Sequence, residues 1–127
     1  MPLVRISMRQ GREPAYRRAV ADAVHAALVE TFTVPAEDRF QILSEHEAGA
    51  ELLHTPSYLG IDYSPDLVMV QLTVSNTRSL EQKKALYRRI VERLGEKPGL
   101  RPQDVMISLV EVAKENWSFG MGEAQYA

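Results

Sequence analysis

The chain has 127 residues, of which 45% are hydrophobic and 25% are charged, and its formal net charge is −2. This size and composition predict one globular domain, and the weakly acidic balance argues against a general nucleic-acid-binding protein, which is usually basic. The absence of cysteine excludes disulfides, thiolate metal sites and thiol catalysis. The apolar runs are too short for a transmembrane helix and no signal-peptide pattern is visible, so we expect no membrane association and a cytoplasmic location.

The first predicted strand, PLVRISM, follows directly on Met1. Val4, Ile6 and Met8 alternate with more polar residues and would share one face of a sheet. Pro2 suits the first residue of a strand, because proline cannot donate a hydrogen bond to the ladder. Alternatively, removal of Met1 would leave Pro2 with a free secondary amine, which is both a base and a nucleophile. Both interpretations stay open at this point.

Helical and strand periodicities alternate along the rest of the chain. An apolar run at 66–74 predicts a central strand, and closing strands are predicted at 39–45 and 104–112. The SLEQ segment at 79–82 is typical of a capping box at the start of a helix. Apolar residues at helical spacing predict two helices, through Tyr16, Val20, Val24, Ala27 and Leu28 in the first and Leu86, Ile90 and Leu94 in the second.

An internal repeat organises these elements. Residues 5–45 align without a gap on residues 71–111, a shift of 66 positions, and each copy reads strand, helix, strand. Two such units predict an α+β fold of the two-layer α/β type, in which a four-stranded sheet carries both helices on one face. We expect the other face to be apolar and to need a partner, which predicts a homo-oligomer. The single domain, 1–127, is divided into a first βαβ unit at 2–46, a linker at 47–66, a second unit at 67–113 and a tail at 114–127.

Several candidate site residues fall at one edge of this predicted sheet. Pro2 and Asp38 stand at the starts of two strands that run parallel, so they share an edge. If the second unit runs antiparallel to the first, the ends of its strands reach the same edge. Arg78 follows the third strand, and Trp117 and Phe119 follow the fourth. An amine, a carboxylate, a guanidinium and an aromatic wall would then meet.

This combination resembles the tautomerase superfamily, and the tail is most similar to the malonate semialdehyde decarboxylase-like group. The resemblance covers nearly the whole chain. It rests on four segments, which are Met1 with Pro2, PAEDRFQ (35–41), RSLEQKKALY (78–87) and NWSFGMG (116–122). It implies a trimer whose initiator Met is removed and whose amino-terminal proline performs proton chemistry on a small oxo or unsaturated carboxylic acid, with no cofactor.

The resemblance also implies a role for each residue of the edge. Pro2 would transfer the proton, Asp38 would orient water or hold the proline ammonium, and Arg78 would bind the substrate carboxylate. The structural alternatives are a strand-start charge for Asp38 and a surface salt bridge to Glu81 for Arg78. An arginine at a helix start opposes the macrodipole preference, a conflict that a bound carboxylate would resolve.

Other residues would complete the substrate site. Arg39 and Gln41 match the resemblance and would supply polar contacts to the substrate or, equally, structural contacts. Trp117 and Phe119 would form an apolar wall or pack in the core. Tyr126 would close the pocket from the tail.

One position departs from the resemblance. The decarboxylase type presents two arginines, spaced one apart, around this turn, and Asn76 stands where the first would fall. An asparagine donates a hydrogen bond but brings no charge, which argues against decarboxylation of malonate semialdehyde itself. The departure favours the alternative of a non-catalytic oligomeric binding or structural protein.

The remaining candidates receive structural interpretations. Asp104 and Arg12 are the repeat counterparts of Asp38 and Arg78, and we interpret Arg12 as structural. His25 is interpreted as a helix-surface residue. The three histidines show no spacing typical of metal ligands, so no metal site is predicted.

Overall fold

Strands and two helices alternate in the computed structural model, which describes residues 2–127. No helix in this part of the chain is both long and apolar enough to cross a lipid bilayer. In chain order the elements are β1 (Leu3–Arg9), α1 (Pro14–Phe32), β2 (Gln41–His46), β3 (Ser57–Tyr58), β4 (Ile61–Asp62), β5 (Val68–Ser75), α2 (Leu80–Glu96) and β6 (Val105–Val112).

Four of the strands form one mixed sheet in the order β2-β1-β5-β6. The outer pairs, β1 with β2 and β5 with β6, are parallel, and the central strands β1 and β5 are antiparallel. The predicted four-stranded sheet with two helices on one face is confirmed. The segment between the units contains the short hairpin of β3 and β4.

The register of the sheet reproduces the internal repeat. Val4 pairs with Gln41 across β1 and β2, and a shift of 66 carries this pair onto Val70 and Ile107, which pair across β5 and β6. The same shift carries the first residue of α1 onto the first residue of α2. Since β1 and β5 are antiparallel, the two units are related by an approximate two-fold axis. Each end of the sheet therefore has a counterpart at the opposite end.

The two helices begin differently. Pro14 opens α1 in the first turn, where its missing N–H would have no partner in any case. At the start of α2, the Ser79 hydroxyl accepts a hydrogen bond from the Gln82 amide at 3.2 Å. The Gln82 side chain accepts one in return from the Ser79 amide at 3.0 Å. This confirms the predicted capping box and fixes the chain directly after Arg78.

The core lies between the sheet and the helices. Alternate residues of β1 and β5 point towards α1 and α2, as a period of two requires. Burial of each aliphatic side chain there contributes about 1.5–3 kcal/mol to stability relative to exposure. The side chains with no more than 1% exposure include Val4, Ile6, Val20, Val24, Leu28, Phe32, Val68, Leu72, Leu86, Ile90 and Leu94.

The open face of the sheet is mixed in character, so the expectation of an apolar face was wrong. Arg5, Gln71 and Ser108 lie there beside Met69 and Met106, and the Met106 side chain is half exposed. The error has a physical cause. The uniformly apolar run of β5 suggested a strand buried on both faces, but one of its faces carries polar residues at alternate positions.

Candidate active site

Pro2 and Asp38 lie at the same edge of the sheet, as the parallel pairing of their strands predicts. Pro2 is buried and directly precedes β1. The Val4 amide donates to the Phe40 carbonyl at 3.0 Å, which holds the start of β1 against the approach to β2. We call this edge the Pro2 edge, defined by Pro2, Asp38, Arg78 and Trp117.

Asp38 belongs to the loop of residues 33–40 that connects α1 to β2. Its amide donates to the Pro35 carbonyl at 3.0 Å, which closes a turn. Asp38 is half-buried, and burial raises the pKa of its carboxyl above the ordinary value. A raised pKa makes this carboxyl more basic than an exposed aspartate.

His25 is the residue of this region that sequence reasoning missed. It lies on the surface of α1, as interpreted, but it also bonds the loop that carries Asp38. The side chain is half-buried, and its Nε2 donates to the Ala36 carbonyl at 2.8 Å. Helical periodicity predicts which face of α1 packs on the sheet. It does not predict which loop packs on another face of the helix. No sequence signal could have shown this contact.

Arg78 reaches from the start of α2 to the end of α1. Its guanidinium donates to the Phe32 carbonyl at 2.8 Å and to the Thr77 hydroxyl. It also lies over the Phe32 ring, 4.9 Å from the ring centroid. The Phe32 carbonyl belongs to the last residue of α1, where carbonyls lack helical partners and the macrodipole favours a cation. Among residues 2–127 these partners of Arg78 are all neutral, and the predicted alternative of a salt bridge to Glu81 is not observed.

Trp117 is anchored to the same edge. Its indole Nε1 donates to the hydroxyl of Ser75, the buried last residue of β5, at 3.1 Å. The exposed Asn76 follows, and its amide continues the sheet pairing with the Val112 carbonyl at 2.9 Å. The ends of β5 and β6 therefore do reach the Pro2 edge. Ser75 was not singled out in the sequence.

The aromatic residues of the tail pack on one another. The rings of Trp117 and Phe119 are stacked, with centroids 5.5 Å apart, and Tyr126 meets Phe119 edge-on at 4.8 Å. The Phe119 amide donates to the Gln125 side chain, which in turn donates to the Gly120 carbonyl, both at 2.9 Å. These bonds fold the tail back on itself, and the role of its aromatic rings as a pocket wall stays a prediction.

Arg39 and Gln41 make contacts with α1. Arg39 donates to the Asp22 carboxylate at 2.7 Å and to the Gln41 side chain at 2.9 Å. Gln41 donates to the Ala21 carbonyl at 2.9 Å. These are the structural contacts that the sequence left open for both residues, and their predicted contacts with a substrate stay a prediction.

The opposite end of the sheet carries the repeat counterparts of the site residues. Asp104 is buried, and its carboxylate accepts hydrogen bonds from the Ser64 amide and hydroxyl, at 2.8 and 2.6 Å, and from Arg101 at 3.0 Å. Burial alone would raise the pKa of Asp104, but these bonds outweigh it and lower the pKa. Arg12 forms an ion pair with Asp66. We call this the Asp104 edge, defined by Arg12, Ser64, Asp66 and Asp104.

Comparison with known proteins identifies the family. A family profile described as "Tautomerase enzyme" matches residues 38–120, and a second profile with the same description matches residues 2–53. "Probable tautomerase YusQ" of Bacillus subtilis is 37% identical over 125 residues, which is 98% of each chain.

The chain belongs to the tautomerase family. Among solved structures, a malonate semialdehyde decarboxylase described with decarboxylase and hydratase activities is 35% identical, with a TM-score of 0.89, over 98% of this chain and 95% of the other. FG41 malonate semialdehyde decarboxylase, inhibited by 3-bromopropiolate, is 40% identical, with a TM-score of 0.90, over 98% and 93%. A fused 4-OT, described as a symmetric trimer and 22% identical, shares the fold at a TM-score of 0.80 over 98% and 97%. These likenesses confirm the resemblance seen in the sequence.

Proposed function

We propose that this tautomerase-family chain is a cofactor-independent enzyme that uses an amino-terminal Pro2, after removal of Met1, on a small oxo or unsaturated carboxylic acid. The observation that carries the proposal is the environment of Arg78. Its partners are a carbonyl, a hydroxyl and an aromatic ring, whereas its repeat counterpart Arg12 is paired with the carboxylate of Asp66. A guanidinium held by neutral groups is suited to receive a substrate carboxylate, with which it forms paired hydrogen bonds.

The amine of Pro2 would supply the proton chemistry. A free α-amine has an ordinary pKa of about 7.7–8.0. Burial at the Pro2 edge would lower that pKa, and the carboxylate of Asp38 would raise it. A neutral amine is a general base for keto–enol tautomerisation, and a protonated amine is a general acid for hydration or decarboxylation. One site of this kind supports all three reactions.

Asp38 would act beside the amine. Its raised pKa makes it the better proton acceptor of the two repeat-related aspartates. It would orient a water molecule or hold the ammonium form of Pro2. Trp117 and Phe119 would cover the substrate with an apolar wall, which strengthens the electrostatic interactions inside the site by excluding water.

The choice of reaction depends on position 76, the first of the two positions at which the decarboxylase type presents an arginine. The two malonate semialdehyde decarboxylases are close structural relatives, which supports a decarboxylase or hydratase. Asn76 brings no charge there and favours a tautomerase acting on a substrate with a single carboxylate held by Arg78.

The assembly would be a homotrimer. The open face of the sheet presents exposed Met106, Ile42 and Val110 among its polar residues, and a partner subunit would remove them from water. The fused 4-OT that shares the fold is described as a symmetric trimer. Light scattering of the purified protein should give three times the chain mass of 14.3 kDa. A stable monomer would contradict this assembly.

Turnover of a substrate panel by Pro2→Ala tests the proposal. The panel contains enolisable 2-oxo acids, malonate semialdehyde and a 3-halopropiolate. Because a positioned acid or base contributes about 10²–10⁴-fold to rate, Pro2→Ala should lower kcat/KM by that factor. Pro14→Ala, at an exposed helix start that tolerates alanine, is the matched control and should leave kcat/KM unchanged. A fully active Pro2→Ala enzyme would overturn the proposal.

Asn76 also favours a second candidate, a non-catalytic oligomeric binding protein of the same fold, because the turn lacks the charge that the decarboxylase type presents. This candidate predicts that Met1 is retained, or that Pro2 is unreactive, and that no member of the panel is turned over. A carboxylate ligand that binds in an Arg78-dependent way without turnover would support it.

A further inference from the structure

The loop that carries Asp38 is tied to α1 on both sides of that residue. Before Asp38, the Ala36 carbonyl accepts a hydrogen bond from His25 at 2.8 Å. After it, Arg39 donates to Asp22 at 2.7 Å. Asp22 and His25 are three residues apart and therefore lie on the same face of α1. Together the two contacts form a clamp on the loop.

Two main-chain hydrogen bonds shape the turn around Asp38. The Asp38 amide donates to the Pro35 carbonyl at 3.0 Å, and the Arg39 amide donates to the Glu37 carbonyl at 3.1 Å. At the end of the loop, the Phe40 carbonyl accepts a hydrogen bond from the Val4 amide at 3.0 Å, which ties the loop to β1. The clamp adds contacts on both sides of Asp38 to α1, a helix that is packed in the core.

The second repeat unit has no equivalent clamp. Val91 and Arg88 occupy the positions of His25 and Asp22, and the valine side chain has no hydrogen-bond donor. The equivalent turn of the second unit closes with the same bond, from the Asp104 amide to the Arg101 carbonyl at 3.0 Å. That turn is held by hydrogen bonds that the Asp104 carboxylate accepts from Arg101, within the turn, and from Ser64, 40 residues earlier in the chain. The first unit holds its turn through residues of α1.

We propose that His25 is a positioning residue, which through the Ala36 carbonyl holds Asp38 in place beside Pro2. The inference rests on the proposed function and deepens it. An acid–base group must be held within about 0.5 Å of its productive position, and a displacement of about 1 Å costs about 100-fold in rate. A side chain that never touches the substrate can therefore control kcat.

Two variants of His25 separate its hydrogen bond from its bulk. His25→Val installs the residue found at the equivalent place in the second unit and removes the donor. His25→Gln keeps a neutral N–H donor. His54→Val is the matched control, because His54 also bonds a main-chain carbonyl, that of Thr55 at 2.8 Å, on an exposed segment distant in sequence from Asp38.

The expected result is a change in kcat with little change in KM. His25→Val should lower kcat by about tenfold to 100-fold, because Asp38 moves while Arg78 still binds the carboxylate. His25→Gln should recover kcat to within about threefold of the wild-type value, and His54→Val should match the wild type. A merely structural role for His25 would not separate kcat from KM in this way.

Hydrogen exchange of the folded protein gives a readout that does not depend on activity. In His25→Val the amides of residues 36–39 should exchange faster, with the core amides of β1 and β5 unchanged. His25→Gln and His54→Val should exchange at the wild-type rate in this segment. Faster exchange throughout the chain would indicate general destabilisation and would overturn the positioning role.

The failures of the two proposals are distinguishable. A wild-type enzyme without turnover or reactive Pro2 overturns the proposed function. With an active wild type, an unchanged kcat in His25→Val overturns the positioning role alone. Unchanged exchange in residues 36–39 of His25→Val overturns it as well, whatever the activity.

Discussion

The two ends of the sheet are built from repeat-related residues, but they use them differently. At the Asp104 edge the charges are paired within the chain: Arg12 lies against Asp66, and Asp104 accepts four hydrogen bonds from Ser64 and Arg101. At the Pro2 edge the Arg78 guanidinium is held by neutral groups. The two repeat-related arginines therefore differ in their partners, and the proposed function assigns the neutral surroundings of Arg78 to a substrate carboxylate.

The pKa directions of the two aspartates express the same difference. The pKa of Asp38 is raised because burial disfavours its charged form. Burial acts on Asp104 in the same sense, but hydrogen bonds from Arg101 and Ser64 overcome it, and the pKa of Asp104 is lowered. Position in the fold is therefore not sufficient to make a catalytic carboxylate, because the partners decide which protonation state is favoured.

The largest expected effect separates the two arginines. Arg78→Ala should lower kcat/KM by about 10²–10³-fold, since it removes charged hydrogen bonds to the substrate worth about 3–4 kcal/mol. Arg12→Ala, the repeat-matched control, should leave kcat/KM within about threefold of the wild-type value. Steady-state kinetics on the best substrate of the panel would measure both. Equal losses in the two variants would remove the proposed difference between the edges.

The next largest effects distinguish the two aspartates, because Asp104 should matter for stability and Asp38 for activity. Asp104→Asn should lower the free energy of unfolding by about 2–3 kcal/mol, because buried donors lose their charged acceptor. Thermal unfolding should show this as a fall of about 10 °C in Tm. Asp38→Asn should keep the wild-type Tm or exceed it, and should lose activity. The account fails if Asp38→Asn unfolds earlier than Asp104→Asn.

The pH dependence of stability should have opposite signs at the two edges. The lowered pKa of Asp104 contributes stability that is present above the unfolded pKa and is lost as pH falls through the folded pKa. The raised pKa of Asp38 contributes stability that is present below the unfolded pKa and is lost as pH rises through the folded pKa.

Urea unfolding of the two asparagine variants between pH 3 and pH 7 would measure this difference. Relative to wild type, the deficit of Asp104→Asn should shrink towards acid pH. Any advantage of Asp38→Asn should appear at neutral pH and vanish towards acid pH. Parallel curves for the two variants would show that the aspartates do not differ in the way their pKa directions indicate.

The smallest expected effect concerns Asn76, the uncharged residue in the turn between β5 and α2. Asn76→Arg should lower KM for malonate semialdehyde by about threefold to tenfold, because it adds a second guanidinium near Arg78. Gln10→Arg makes the equivalent change at the Asp104 edge, on an exposed residue, and should leave KM unchanged. A KM that responds to Gln10→Arg as strongly as to Asn76→Arg would show a general effect of charge.

The sequence predicted the fold well because short-range patterns of apolar residues determine where its strands and helices lie. Alternation and helical spacing located the strands and helices, and the shift of 66 predicted a repeat that the sheet register reproduces. The structural role given to Arg12 agrees with its ion pair to Asp66. The expectation of an apolar open face was wrong, because β5 carries polar residues at alternate positions on that face.

The candidate site was predictable only in part. Residue types and strand ends placed Pro2, Asp38 and Arg78 at one edge. The hydrogen bonds that side chains make to other segments of the chain leave no local pattern in the sequence. The bond from His25 to the Ala36 carbonyl and the bond from Arg78 to the Phe32 carbonyl both join segments that are distant in sequence. The roles of these residues in a reaction stay predictions.

The most direct test of the central claim is the intact mass of the protein, with peptide mapping, before and after exposure to 3-bromopropiolate. The account predicts a chain that starts at Pro2 and gains a single adduct on that residue. It also predicts that Arg78→Ala slows the labelling and that Arg12→Ala does not. A chain that retains Met1, or one that stays unmodified, would contradict a reactive proline at a carboxylate-binding edge.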